Sequence, residues 1–245
     1  MDISRENFLD NLTRVFTVNG MGELLTPEKC DKFYRLTEIM LDENEKYNLT
    51  AITAPDKIIL NHYADCATMA RALKTGATVI DVGCGAGFPT LPLAIVRPDL
   101  KILAVDSTAK RVRYVEMAAS ELGLSCVKCA VMRAEEGGRM AEYREKFDYA
   151  TARAVAGMRV LCELCLPFVK LGGEMVAMKG RSAEEELTEA KAGILLLGGG
   201  EARIEEIVLT GGEEELRHPL ISIKKKKHTP ERFPRQYSQI SKKPL

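Results

Sequence analysis

Between residues 77 and 192, short runs of β-branched and aliphatic residues alternate with segments whose apolar residues return every three or four positions. The pattern predicts strands over 77–82, 101–105, 125–131, 147–152 and 173–179. Helices over 88–97, 108–122, 157–168 and 183–192 fall between and after them. Two further runs, 202–209 and 219–226, flank Gly211-Gly212 and read as an antiparallel hairpin. Two helical segments open the chain. Residues 27–46 start with Thr26 as a cap and Pro27 at the first helical position, and Phe33, Leu36, Ile39, Met40 and Tyr47 recur at helical spacing. Residues 55–73 carry Ile58, Ile59, Met69 and Leu73 on one side. Such alternation means an α/β fold: a doubly wound, mostly parallel seven-stranded sheet covered by helices, with an N-terminal helical extension. The expected division is a helical extension at 1–75, a sheet domain at 76–228 and a tail at 229–245. Ligands of such sheets bind beyond the carboxyl ends of the strands.

The first strand leads into the most informative stretch of the chain, Asp81-Val82-Gly83-Cys84-Gly85-Ala86-Gly87-Phe88-Pro89. Glycines after a strand let the backbone turn sharply and approach a ligand with no Cβ in the way. Asp106, at the end of the second strand, is placed to accept the hydroxyls of a ribose. A dinucleotide-binding dehydrogenase shares this general plan, but its turn is spaced G-x-G-x-x-G. Here the spacing is G-x-G-x-G with an acid two residues ahead, Lys110, Arg111 and Arg113 open the helix after Asp106, and no second catalytic domain follows. Together with the closing hairpin, this points to S-adenosylmethionine as the cofactor and to the class I methyltransferase form of the doubly wound sheet.

Composition narrows the setting. No apolar run approaches the ~20 residues that span a bilayer, and the first residues lack a signal peptide, so a cytoplasmic protein is expected. Net charge is zero but uneven: from His218 onward eight Lys/Arg face Glu231 alone. A basic tail on an acidic body suggests a polyanionic partner. Seven cysteines include the pairs Cys126/Cys129 and Cys162/Cys165. A structural zinc site needs both thiolates of a pair on one tight turn. The first pair instead lies in a strand, where such positions face opposite ways, and the second in an apolar helix; no metal is expected.

Residues 81–99 (DVGCGAGFPTLPLAIVRPD) closely resemble the glucose-inhibited division protein B family of bacterial methyltransferases. Further matches are Tyr47-Asn48-Leu49-Thr50, His62 with Asp65, Asp106-Ser107, Lys110-Arg111-Val112-Arg113, Arg153-Ala154, Lys179-Gly180, Arg217-His218, Thr229-Pro230 and Phe233-Pro234-Arg235. They run from about residue 45 onward. The resemblance implies methyl transfer to N7 of a guanine in small-subunit ribosomal RNA. It implies a cofactor site of Gly83, Gly85, Phe88, Asp106, Ala134, Glu135 and Arg153. Two departures stand out: Thr90 replaces the family's usual glycine, and Gln236-Tyr237-Ser238-Gln239-Ile240 replaces a common glycine-proline turn.

Guanine N7 carries an in-plane lone pair and no proton, so no catalytic base is expected and the protein's work is positioning and electrostatics. The fourth strand ends Tyr149-Ala150-Thr151-Ala152-Arg153, without the Pro-Pro-aromatic motif that grips an exocyclic amine. Candidate RNA contacts are Arg133, Lys179, Arg217, Lys225 and Arg235, with Arg153 and the other tail lysines; Tyr47 is a candidate stacking platform. The partner is small-subunit ribosomal RNA or a ribosomal particle, met by a monomer, and the final ~15 residues are expected to be loose. Alternatives are a methyltransferase of the same fold acting on another RNA, a protein or a small molecule, and a non-catalytic ribosome assembly factor.

Overall fold

The computed structural model describes residues 4–180, 182–212 and 215–245. Seven strands, β1 (Thr78–Val82), β2 (Lys101–Asp106), β3 (Val127–Val131), β4 (Phe147–Arg153), β5 (Val169–Met178), β6 (Gly199–Thr210) and β7 (Glu215–Lys225), form one sheet in the order β3-β2-β1-β4-β5-β7-β6. The first five run parallel; β7 is antiparallel to both β5 and β6, as the hairpin pattern predicts. Strand order reverses between β1 and β4. The connections leave there in opposite directions and open a crevice at the carboxyl ends.

Strand alternation divides the buried residues between two cores. Val79 and Ile102 face a core shared with Phe8, Phe16, Phe33 and Tyr63 of the N-terminal helices. Ile80, Val82 and Ala150 face the other, with Leu161, Phe168, Ile221 and Ile240. The N-terminal layer holds α1 (Arg5–Val18), capped by Ser4, and α2 (Pro27–Tyr47), whose cap Thr26 accepts from the backbone N–H of Lys29. Helix α1 is not among the sequence expectations, although Phe8, Leu12, Val15 and Phe16 give it a buried stripe.

Residues 55–73, expected as one regular helix, are a composite. Helix α3 (Pro55–Ile58) runs into a π-helical segment, Ile59–Ala64, then α4 (Asp65–Ala67) and a 3-10 turn, Thr68–Arg71. The sheet helices are α5 (Thr90–Val96), α6 (Ala109–Glu121), α7 (Ala134–Gly137), α8 (Met158–Cys165) and α9 (Ala183–Leu196). Cys162 and Cys165 lie fully buried in α8, and burial pushes the Cys162 thiol up to about 12.

The tail is packed rather than loose. Phe233 and Ile240 are buried, and Tyr237–Lys242 forms α10. Arg144 donates to the carbonyls of Gly138, Thr229, Pro230 and Phe233 at 2.7–3.3 Å, fastening the start of the tail. Two basic candidates serve the same purpose. Arg235 is paired with the buried carboxylate of Glu163 at 2.6 Å. Lys225, expected to contact RNA, is instead wholly buried: its ammonium donates to Leu166 O at 2.7 Å and to the Thr229 hydroxyl, with Glu145 at 3.4 Å. Its neighbour Lys224 points the other way from the strand and keeps 44% of its side chain exposed. Arg144→Ala removes four charge-assisted bonds and should cost about 2–3 kcal/mol. Urea unfolding should show a lower midpoint, and limited proteolysis should cut first beyond residue 228.

Candidate cofactor cleft and substrate face

The glycine turn is shaped by what lies beneath it. Gly83 has φ +76°, and a Cβ there would stand 2.8 Å from Val155 Cγ2; at Gly87, φ +83°, it would stand 2.6 Å from Leu91 Cδ1. Neither position tolerates a side chain, so the turn is held flat against Val155, just past β4, and against α5. Its amides are tied in: Gly83 N and Cys84 N donate to Val105 O, joining the turn to the end of β2.

Asp106 sits at that end, only 6% exposed. One carboxylate oxygen accepts from Gly85 N at 3.1 Å and the other from Thr108 N at 2.8 Å, with Arg111 at 3.6 Å. Two backbone donors fix its orientation and leave lone pairs for ribose hydroxyls. A lobe of about 390 Å³ opens beside it, lined among others by Gly83, Asp106, Met132, Arg133, Ala134 and Glu135. Val155 and Tyr237 also line this lobe and were not expected from sequence. Tyr237 arrives from the packed tail. These residues fit an adenosine: a small Ala134 and apolar Met132 for a ring, and carboxylates at Asp106 and Glu135.

Across Gly83 and Ala154 a second lobe, of about 340 Å³, continues past Gly85 and Phe88 to Asn48, Leu49, Thr50, His62 and Arg153. Arg153 organises this end. Its guanidinium donates to Asn61 O and Asp65 Oδ2 at 2.9 Å each and to His62 Nδ1 at 2.7 Å, and lies 5.3 Å from the Phe88 ring centre. The imidazole of His62 stacks on Phe88 at 4.3 Å. Asp65 turns its other oxygen to His218 from β7. Burial, and then the charge of Arg153, lower the His62 pKa to about 4. His62 and Asp65, three residues apart on this helical stretch, share a face and meet on this one guanidinium.

All seven cofactor candidates thus fall in one continuous cleft: Gly83, Asp106, Ala134 and Glu135 in the first lobe, and Gly83, Gly85, Phe88 and Arg153 in the second. The RNA candidates scatter. Arg133 is 54% exposed at the rim. Lys179 is spent on Ala156 O and Glu186, and Arg217 stands on the outer hairpin between Glu206 and Glu215. The side chain of Tyr47 lies outside the described residues. Asn48, Leu49 and Thr50 were visible as a family match but carried no assigned role. Among the described residues, no group of three or more His, Cys, Asp or Glu is arranged to hold a metal, and no helix is long and apolar enough to cross a membrane.

Sheet order, the glycine turn and the carboxylate at the end of β2 are those of a class I S-adenosylmethionine-dependent methyltransferase. A family model described as rRNA small subunit methyltransferase G matches residues 29–215, and the chain belongs to that family. It is 43% identical to the ribosomal RNA small subunit methyltransferase G of Clostridium perfringens over 229 residues, 93% of this chain and 95% of the relative. The protein of the same name from Lactobacillus helveticus is 43% identical over 226 residues, 91% and 93% of the two chains. Among solved structures, an S-adenosylmethionine-dependent O-methyltransferase from Thermotoga maritima shares the fold, with TM-score 0.53 and 18% identity over 77% of this chain and 72% of that one.

The departure at Thr90 has a structural role. Asp81, buried under the turn, accepts from the Thr90 hydroxyl at 2.6 Å and lies 3.4 Å from that of Thr151. Burial raises its carboxyl to about 6, the hydroxyls holding it below where burial alone would put it. A carboxyl raised in the folded state contributes stability that is fully present below its unfolded value near 4 and is lost as pH rises through 6. Thr90→Val deletes the shorter bond and should deepen that loss. The variant should be close to wild type at pH 4 and less stable by about 1–2 kcal/mol at pH 8, read by urea unfolding at both. Asp106→Ala should weaken S-adenosylmethionine binding about 30- to 100-fold by calorimetry, with the fold unchanged by circular dichroism.

Proposed function

We propose that this chain transfers a methyl group from S-adenosylmethionine to N7 of a guanine in small-subunit ribosomal RNA. The reading is carried by the 43% identity, over nearly the whole length, to a ribosomal RNA small subunit methyltransferase, joined to a cleft that keeps every expected cofactor residue. S-adenosylmethionine supplies an electrophilic methyl on a cationic sulfur. Asp106 and the glycine turn hold the nucleoside half, while Gly83, Gly85 and Phe88 form the floor leading into the second lobe. The acceptor base enters that lobe from the side of Asn48–Thr50.

N7 needs no deprotonation, and the lobe is built accordingly. His62, the imidazole that lines it, is held neutral and has both ring nitrogens engaged, Nδ1 by Arg153 and Nε2 by Thr50. It offers no free nitrogen to take a proton. The residues position the base and leave its own lone pair to attack. Arg133 at the rim, with Arg139 and Arg232 in the groove beside α10, are the cations placed to take RNA phosphates. Lys225 is excluded by its burial, and Arg217 and Lys179, each already paired with carboxylates, contribute less. The chain acts as a cytoplasmic monomer on the RNA or its particle.

Mass spectrometry of small-subunit RNA from a strain lacking this gene should show one N7-methylguanine lost and restored by complementation. An unchanged modification pattern would refute the reading. RNA affinity should fall steeply with salt; a salt-insensitive affinity would favour a same-fold enzyme with a different acceptor.

A further inference from the structure

The second lobe contains a hydroxyl whose hydrogen-bonding capacity is almost used up. Thr50 Oγ1 accepts from the backbone N–H of Ile52 at 3.0 Å and stands 3.1 Å from His62 Nε2. Which of the last two atoms donates is decided on the far side of the ring. Arg153 has only donors, and its Nη2 lies 2.7 Å from His62 Nδ1, so Nδ1 carries the lone pair. Asn61 O lies 3.1 Å from the same nitrogen, but a proton on Nδ1 directed at it would set the shorter Arg153 contact donor against donor, while the carbonyl keeps Arg153 Nη1 at 2.9 Å without it. The single proton of the neutral imidazole therefore sits on Nε2 and is donated to Thr50.

A hydroxyl has two lone pairs and one hydrogen. Both lone pairs of Thr50 are filled, by Ile52 and by His62, and its hydrogen has no acceptor among the described residues. Thr50 lines the lobe with Asn48, Phe88 and Arg153. Its remaining capacity is to donate into the space the acceptor base would occupy.

We propose that Thr50 is a specificity-determining donor that accepts only a purine with an oxygen at position 6, and that Arg153 and His62 lock it in that state. The proposal rests on the guanine-N7 reading above. On its N7 edge, guanine presents O6 as an acceptor beside N7, whereas adenine presents an amino group there. A hydroxyl free to rotate serves either base. One whose lone pairs are filled hydrogen-bonds O6 and meets an amino group donor to donor. The bond goes to O6 and leaves the N7 lone pair free for the methyl group. His62 and Arg153 act through Thr50 and are positioning residues in this respect.

The test uses the full-length protein and small-subunit particles reconstituted with RNA carrying guanine, inosine or 2,6-diaminopurine at the methylated position. Inosine keeps O6 and N7; 2,6-diaminopurine keeps N7 and the 2-amino group but has an amino group at position 6. Wild type should methylate guanine and inosine within about fivefold of each other, and diaminopurine about 100-fold less efficiently. Thr50→Val should lower kcat/KM on guanine about 10- to 30-fold, leave S-adenosylmethionine affinity unchanged, and close most of the gap to diaminopurine. Thr50→Ser should restore the wild-type pattern. His62→Phe keeps a ring against Phe88 but frees a lone pair on Thr50, so it should narrow the guanine preference about tenfold with Thr50 in place. Equal losses on all three bases in Thr50→Val, or an undiminished guanine preference, would overturn the lock while leaving guanine-N7 transfer standing. A wild-type protein that forms no N7-methylguanine on any particle would overturn both.

Discussion

One guanidinium holds the working end of this molecule together. Arg153 leaves the end of β4 and touches five groups from two other segments: a carbonyl, a carboxylate, an imidazole and a thiol from the stretch after α3, and the aromatic ring that follows the glycine turn. Elsewhere the N-terminal layer meets the sheet domain through apolar packing and through polar contacts further from the glycine turn, such as Asn19 with Thr210, Lys29 with Val96 O and Arg97 with the carbonyls of Ala70 and Leu73. Through Arg153, the layer is fixed to the turn at hydrogen-bond precision. The wall of the second lobe, the neutral state of His62 and the alignment of Thr50 all follow from that placement. The pairing with Asp65 is nearly buried on both sides, and it is satisfied by several partners rather than one, as a buried charge requires.

Much of this fold was legible in the chain because its signals are local. β-branched runs, turn glycines and the acid ahead of them report on neighbours in sequence, and the seven strands and their hairpin follow from those. The residues proposed to hold the cofactor were brought to one cleft for the same reason: Gly83, Gly85 and Phe88 lie on the connection that leaves β1, and Asp106 ends β2. What was hidden depends on partners far apart. Nothing in residues 55–73 announces a π-helical stretch, because a helical periodicity over so few turns looks much the same with one residue added. Tyr237 reaches the first lobe because Glu163 of α8 and Arg144 anchor the tail beside it.

The four consecutive lysines from Lys224 show the limit of reading charge by composition. As a run they suggest a solvated polyanion contact. The strand continues to Lys225, however, and alternation turns that one side chain inward, where Thr229, Leu166 and Glu145 surround it. Charge patterning marks a region, and backbone geometry decides which of its members leaves the surface. Arg235 repeats the lesson with a single partner, its Nε and Nη2 both turned to Glu163. The tail's basic character is thus partly internal mortar, and the cations left facing the adenosine-side groove are arginines.

The π-helical stretch, finally, works as a change of phase. Each residue of a regular helix advances the side-chain direction by about 100°. The wider turn over Ile59–Ala64 retards that advance once, so that Ile58 before it and Asp65 after it face their separate partners from one continuous rod. Composition, charge and hydropathy would hardly register the loss of one residue here. Geometrically it would be a rotation of one half of the rod against the other, turning either Ile58 out of the core or Asp65 away from β4. This element is therefore far more sensitive to its length than to the identity of most of its side chains.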